Sequence, residues 1–250
     1  MQDRGPAAYV AEFLGTLLLV FFVTAAVSLF VTKPSPQSPT PFIDWSVIGL
    51  VHAFVLFILV QALAVISGAH FNPAVTAAMT VLRQIKPPDA AIYVVAQLAG
   101  AVAGALLTKL LLTKFANADA VNFGAVSIGP SLDGKVTLGM LAEFIGTFML
   151  VFTIVGVALD PRVDRALAPF AIGAALGLGV MVFGTLTGAG LNPARAFGPA
   201  LVSGHFGGVD RFLLAYVLAP VLGALAAALA YFYLYLEGGK KGIGGMEPVG

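Results

Sequence analysis

The sequence predicts an all-α membrane protein: six transmembrane helices plus two re-entrant half-helices in an inverted repeat. Three observations predict it. Hydrophobic residues make up 59% of the 250 residues and charged residues only 10%, against about 45–50% and about 25% in soluble domains. Several apolar stretches reach the roughly 20 residues that cross a bilayer. One three-residue word also occurs twice, as Asn72-Pro73-Ala74 and Asn192-Pro193-Ala194. Its frames match, Ser67-Gly68-Ala69-His70-Phe71 before the first copy and Thr187-Gly188-Ala189-Gly190-Leu191 before the second.

Composition excludes several function classes. A net charge of +1 argues against a nucleic-acid partner. With no cysteine, the chain has no disulfide, thiolate metal site or thiol nucleophile. The 29 glycines are abundant inside the apolar stretches, where they permit close helix crossings. No nucleophile–base arrangement or metal-ligand cluster stands out, so the chain reads as no enzyme, with no cofactor and no metal. The first apolar run lacks an A-x-A cleavage site and reads as a retained span.

The first span is expected over about 7–31, opened by Pro6 and closed by Lys33-Pro34-Ser35-Pro36 at the start of a proline-rich loop. The second runs over about 46–66. The first Asn-Pro-Ala follows, then a short helix over about 73–82 before Arg83-Gln84-Ile85-Lys86-Pro87-Pro88. At about 1.5 Å per residue, such a helix reaches only half-way through a bilayer. Asn is a good N-cap and Pro is pre-organised for the first helical position, so the word itself marks a helix start. The third span covers about 89–112, the fourth about 137–159 up to Asp160-Pro161-Arg162, and the fifth about 167–186. A second short helix over about 193–202 precedes the sixth span, about 211–236. The glycine-rich tail, 237–250, reads as disordered.

The halves, about 7–112 and 137–236, repeat within one domain spanning 1–250. Ala11-Glu12-Phe13-Leu14-Gly15-Thr16 returns as Ala142-Glu143-Phe144-Ile145-Gly146-Thr147. Tyr93-Val94-Val95-Ala96 returns as Tyr216-Val217-Leu218-Ala219. Three crossings per half is an odd number, so the second half enters from the opposite face and the repeat is inverted. The two half-helices then meet N-terminus to N-terminus at mid-membrane, where irregular backbone is tolerated only when buried or lining a cavity. With both termini inside, Arg4, Arg83, Lys86, Arg162, Arg165, Lys240 and Lys241 lie inside, and Lys33, Lys109, Lys114, Lys135 and Arg211 outside. This bias favours cytoplasmic termini. The plasma membrane is the expected location.

The paired Asn-Pro-Ala boxes, with Glu12 and Glu143 in the first and fourth spans, resemble the aquaporin (major intrinsic protein) family over about residues 7–236. The resemblance implies a homotetramer with one pore per subunit and passive, cofactor-free permeation.

Physical chemistry then assigns roles. As N-caps, Asn72 and Asn192 spend their side-chain oxygens on backbone N–H groups, leaving their amide N–H groups to donate into a pore. Arg195 is the lone charge of the second half-helix, and a charge at membrane depth is by default functional. The family's motif makes it the cationic member of an outer constriction. By the family's spacing, His52, 20 residues before Asn72, and Val180, 15 before Arg195, join it, with Ala189 in the loop. The quartet His52, Val180, Ala189 and Arg195 looks most like that of plant tonoplast intrinsic proteins, some of which also pass ammonia. A packed helix histidine is the alternative for His52.

Glu12 and Glu143 could relay protons, but a structural role is preferred, each accepting hydrogen bonds behind its half-helix. His70 and Gln97 are expected to do similar supporting work. His205 and Asp210 are expected to be solvated in an outer loop. The leading function is a passive water channel that excludes protons and ions, with ammonia or other small neutral solutes as further permeants. A glycerol-type facilitator is the alternative, though Ala196 stands where glycerol facilitators typically carry Asp. A proton-coupled carrier and a non-conducting structural membrane protein are the remaining readings.

Overall fold

The computed structural model describes residues 5–32, 42–114 and 118–236. Most of the proline-rich loop and the 237–250 tail lie outside the described residues. Among the described residues, six helices are long and apolar enough to cross a membrane: α1 (Pro6–Phe30), α2 (Trp45–Ser67), α4 (Pro87–Leu112), α5 (Val136–Leu159), α6 (Ala168–Thr187) and α8 (Val209–Tyr235). Two short helices interrupt the series, α3 (Pro73–Val81) and α7 (Pro193–Ser203). Each observed boundary lies within about two residues of the expected one. A two-residue antiparallel pair, β1 (Val31–Thr32) with β2 (Phe42–Ile43), brackets the first loop.

Local chemistry sets the boundaries. Proline stands in the first turn of α1, α3, α4, α6 and α7, where its missing N–H costs nothing. Helices α2 and α6 both end on a left-handed glycine, Gly68 (φ 84°) and Gly188 (φ 76°). The carbonyls of Ala64 and Gly184 accept from these glycine N–H groups, and the chain turns back toward the membrane centre.

The two halves pack alike. In the first, α1 lies most extensively on α4, and in the second α5 lies on α8. The crossings are close because glycine removes a Cβ at matching places: one added to Gly100 would strike the Phe13 carbonyl, and one added to Gly223 the Phe144 carbonyl. Phe13 and Phe144 belong to the repeated Ala-Glu-Phe word. Without aqueous solvent between helices, this close packing supplies the association energy that apolar burial supplies in a soluble protein. The outward faces stay apolar, as Phe22 (48% exposed) and Leu110 (74%) illustrate. Phe148 and Phe152 stack on each other instead.

The halves differ where α5 and α8 contain π-helical turns, Val155–Leu159 and Leu213–Leu218. Just beyond the first, the loop to α6 is pinned to the end of α8. Arg162 donates from Nε and Nη2 to the two Asp160 oxygens (2.9 and 2.6 Å) and from Nη2 to the Tyr235 carbonyl (2.9 Å). Tyr231 donates to the same carboxylate (3.0 Å). The Arg162 hydrogen bonds hold the Asp160 carboxyl below its ordinary range.

Because the folded value is depressed, this stabilisation is present at neutral pH and is lost as the pH falls below about 4. Asp160→Asn is therefore expected to cost about 1–3 kcal/mol at neutral pH. Thermal unfolding in detergent should show the wild-type advantage shrinking in acid; a gap that does not change with pH would contradict it.

Candidate functional site

The site is built from the two loops that enter the half-helices. In each, non-glycine residues are left-handed: Ala69 (φ 51°) and Phe71 (φ 48°) in the first, Ala189 (φ 49°) and Leu191 (φ 50°) in the second. Such conformations cost of order 1–3 kcal/mol apiece and persist only when the surroundings impose them. A buried carboxylate behind each loop does so.

Glu12 takes four hydrogen bonds. Its Oε1 accepts from Ser67 Oγ (2.7 Å) and the His70 N–H (2.9 Å), and its Oε2 from the Phe71 N–H (2.7 Å) and Gln97 Nε2 (2.7 Å). Glu143 takes three, from Thr187 Oγ1 (2.6 Å), the Gly190 N–H (2.8 Å) and the Leu191 N–H (2.6 Å). Proline 220 stands in the repeat position of Gln97, which accounts for the missing fourth donor. At about 1.5–3 kcal/mol per bond to a charged group, these sets are of the same order as the strain they hold. Tyr93 and Tyr216 complete each bracket by donating to the Ser67 and Thr187 carbonyls (2.7 and 2.8 Å).

Both asparagines cap as expected: Asn72 Oδ1 accepts from the Ala74 N–H, and Asn192 Oδ1 from the Ala194 and Arg195 N–H groups. Their amides are not wholly open to the lumen. Asn72 Nδ2 donates to the Leu191 carbonyl (2.9 Å), and Asn192 Nδ2 donates to the Phe71 carbonyl (2.8 Å). Each half-helix is thus stitched to the backbone just ahead of the other. Because an amide carries two N–H donors, one per asparagine remains for the cavity that both line.

That cavity, of about 30 Å³, is large enough to hold ordered water. Its wall combines polar groups, from His52, His70, Asn72, Asn192 and Arg195, with apolar residues such as Leu56, Leu150 and Leu176. It adjoins, through Ala69, His70 and Val75, a vestibule of about 470 Å³ that also includes Gln84 and Arg165. Of the constriction quartet, His52 and Arg195 stand on the cavity wall. Val180 and Ala189 are buried in the apolar cluster beside it. His70 reaches the lumen while its Nδ1 contacts Thr76 Oγ1 (3.1 Å), so it combines lining with support. Gln97 donates to Thr76 Oγ1 as well as to Glu12. Half-buried His205 lies in the loop between α7 and α8, and Asp210 sits in the first turn of α8.

The chemistry of the wall follows from its hydrogen bonds. His52 Nδ1 lies 2.8 Å from the Ile48 carbonyl, which can only accept, so Nδ1 carries the proton when the ring is neutral. Nε2 is left as a buried acceptor without a protein partner. Arg195, 3% exposed, donates from Nη1 to the Gly124 carbonyl (3.0 Å), while its Nε and Nη2 have no protein partner. An acceptor and several donors therefore face one narrow space. Among the described residues no group of three His, Cys, Asp or Glu could hold a metal.

Sequence reasoning missed Gly124. Nothing in the loop between α4 and α5 marks it as the partner of Arg195, 71 positions away in the chain. It also left Ser67, Thr187 and Tyr93 without roles, although their recurrence in the repeat was a usable signal.

Comparison with known proteins gives consistent matches. The family profile described as major intrinsic protein matches residues 5–231. The chain is 36% identical over 242 residues to Aquaporin AqpM of Methanothermobacter marburgensis, covering 91% of this chain and 97% of that one. It is 34% identical to the probable aquaporin TIP2-2 of Oryza sativa subsp. japonica, covering 96% and 92%. Among solved structures, the aquaglyceroporin from Plasmodium falciparum superposes with a TM-score of 0.75 at 26% identity, covering 90% of this chain and 94% of that one.

Proposed function

The chain belongs to the major intrinsic protein family, a membrane channel family for water or small solutes, and on that premise we propose that it is a passive water channel that excludes protons and ions. The observation that carries the reading is the lumen where His52 and Arg195 leave an acceptor and donors unpartnered beside Asn72 and Asn192. Water, with two donors and two acceptors, satisfies both kinds of group in passing. At the asparagines, amide N–H groups bind its oxygen and turn its hydrogens outward, which interrupts the chain a proton would follow. The N-termini of α3 and α7 each add about half a positive charge there, raising the barrier to cations. Buried Arg195 adds a full positive charge farther out.

Selectivity resides in the His52–Arg195 pair, with Val180 and Ala189 backing it from the apolar packing beside the cavity. The likeness of this quartet to tonoplast intrinsic proteins makes ammonia and similar small neutral solutes secondary permeants. A glycerol-type facilitator is the second reading, favoured by the superposition on an aquaglyceroporin and opposed by Ala196, buried in apolar packing where glycerol facilitators typically carry Asp. A proton-coupled carrier is disfavoured because Glu12 and Glu143 are engaged by loop donors. We read 1–250 as one channel domain of two inverted repeats, assembled as a homotetramer in the plasma membrane with both termini cytoplasmic.

Stopped-flow light scattering of proteoliposomes tests the reading. The expected result is fast osmotic shrinkage with a low activation energy and no dissipation of an imposed pH gradient. Collapse of that gradient through the protein would favour the carrier, and shrinkage no faster than in empty vesicles would favour a structural protein.

A further inference from the structure

The loop that anchors Arg195 is itself held from outside the lumen. Lys109 is an exposed residue of the last turn of α4. Its Nζ donates to the Val202 carbonyl (3.2 Å) and stands 5.5 Å from the centre of the Phe123 ring. Val202 lies in the last turn of α7, where helix carbonyls lack intrahelical donors and a cation also complements the helix dipole. Phe123, 3% exposed, immediately precedes Gly124, whose carbonyl accepts from Arg195 Nη1.

Asn122, Phe123 and Gly124 are successive left-handed residues (φ 51°, 50° and 78°). Such a run does not sustain itself in L-residues and must be held by its neighbours. Gly124 is wedged against α1, where an added Cβ would come within 2.9 Å of Thr24 Cα. The Phe123 ring lies beneath the Lys109 ammonium, a contact with directional electrostatic attraction. One exposed lysine therefore grips the helix that carries Arg195 and the turn that orients its guanidinium.

We propose that Lys109 is a positioning residue for the selectivity of the pore, acting through Phe123 and the Gly124 carbonyl on Arg195. The proposal rests on the channel reading only for its transport consequence. Replacing Lys109 releases the turn, Arg195 loses its fixed acceptor, and the constriction admits solutes it otherwise rejects. Lys109→Arg retains both a donor for Val202 and a cation for the ring.

The test compares the wild type with Lys109→Gln, Lys109→Arg and Phe123→Leu in lipid vesicles, the last sparing the Lys109–Val202 bond. Two readouts are taken: the urea-to-water permeability ratio, and the order of the Arg195 Nη groups by solid-state NMR with 15N-arginine. The expected result is a ratio raised about threefold or more in Lys109→Gln and Phe123→Leu, with disordered Arg195 Nη signals and wild-type behaviour in Lys109→Arg. If Lys109→Gln unfolds, Phe123→Leu carries the same expectation. Reduced thermal stability with unchanged ratio and unchanged Arg195 order would make Lys109 a helix cap only and overturn the proposal. If wild-type vesicles do not conduct, the channel reading fails, and the NMR comparison alone still decides the Lys109 link.

Discussion

Replacing Glu143 by glutamine is expected to cost about 2–4 kcal/mol of stability and to abolish most water permeation. The side chain keeps its shape but exchanges one acceptor oxygen for a donor N–H₂. Whichever way the amide is turned, that group faces a backbone N–H, that of Gly190 on one side or Leu191 on the other. Neither backbone donor can rotate away, unlike the Thr187 hydroxyl. The loop holding Ala189 and Leu191 in left-handed conformations then loses part of what imposes them.

Misplacing that loop moves Asn192 and Arg195 together, because the loop leads directly into α7. Thermal unfolding and stopped-flow shrinkage of the variant check both parts. Wild-type permeability in a folded variant would show that Glu143 does not position the half-helix. Glu12→Gln meets the same conflict, with the His70 N–H on one oxygen and the Phe71 N–H on the other, although the Ser67 hydroxyl and the Gln97 amide can each turn to adapt.

The second large effect is expected at Asn72→Asp, which separates two roles of one side chain. Aspartate is as good an N-cap as asparagine and suits the positive end of α3, so a cap alone would be preserved. The Nδ2 donor to the Leu191 carbonyl is lost, however, and a carboxylate oxygen takes its place 2.9 Å from another oxygen. About 2–4 kcal/mol of destabilisation is expected from the unpaired carbonyl and the repulsion. The negative charge should also let small cations leak where the wild type excludes them. Unfolding in detergent and a cation-flux assay measure the two effects. A variant that melts with the wild type would mean that the stitch between half-helices contributes nothing.

How much of this was legible depends on the range of the interaction involved. The spans were readable to about two residues because apolar run length, proline at helix starts and glycine at helix ends are local signals. The inverted repeat was readable because Glu12 and Glu143, like Asn72 and Asn192, recur in matching words. The placement of these carboxylates behind the loops followed from their depth and frame. The quartet shows where such reasoning weakens. His52 and Arg195 share the cavity wall, whereas Val180 and Ala189 lie in the apolar packing beside it. Counting along a helix identifies a face only to within the width of a side chain, and Ile172 and Leu176, two turns and one turn before Val180, are the residues of that helix on the wall.

The sequence alone established a membrane protein, its duplicated architecture, the two capped half-helices and a solitary buried arginine. Each follows from composition, periodicity or a word of a few residues. Tertiary structure settled which hydrogen-bonding groups remain for a permeant. Half of each asparagine amide is spent on a carbonyl about 120 positions away, and one Arg195 nitrogen is spent on Gly124. The His52 proton sits on the nitrogen that faces Ile48. The physical reason is that a donor's availability depends on what is already bonded to it, and those partners meet only when the two halves close on each other.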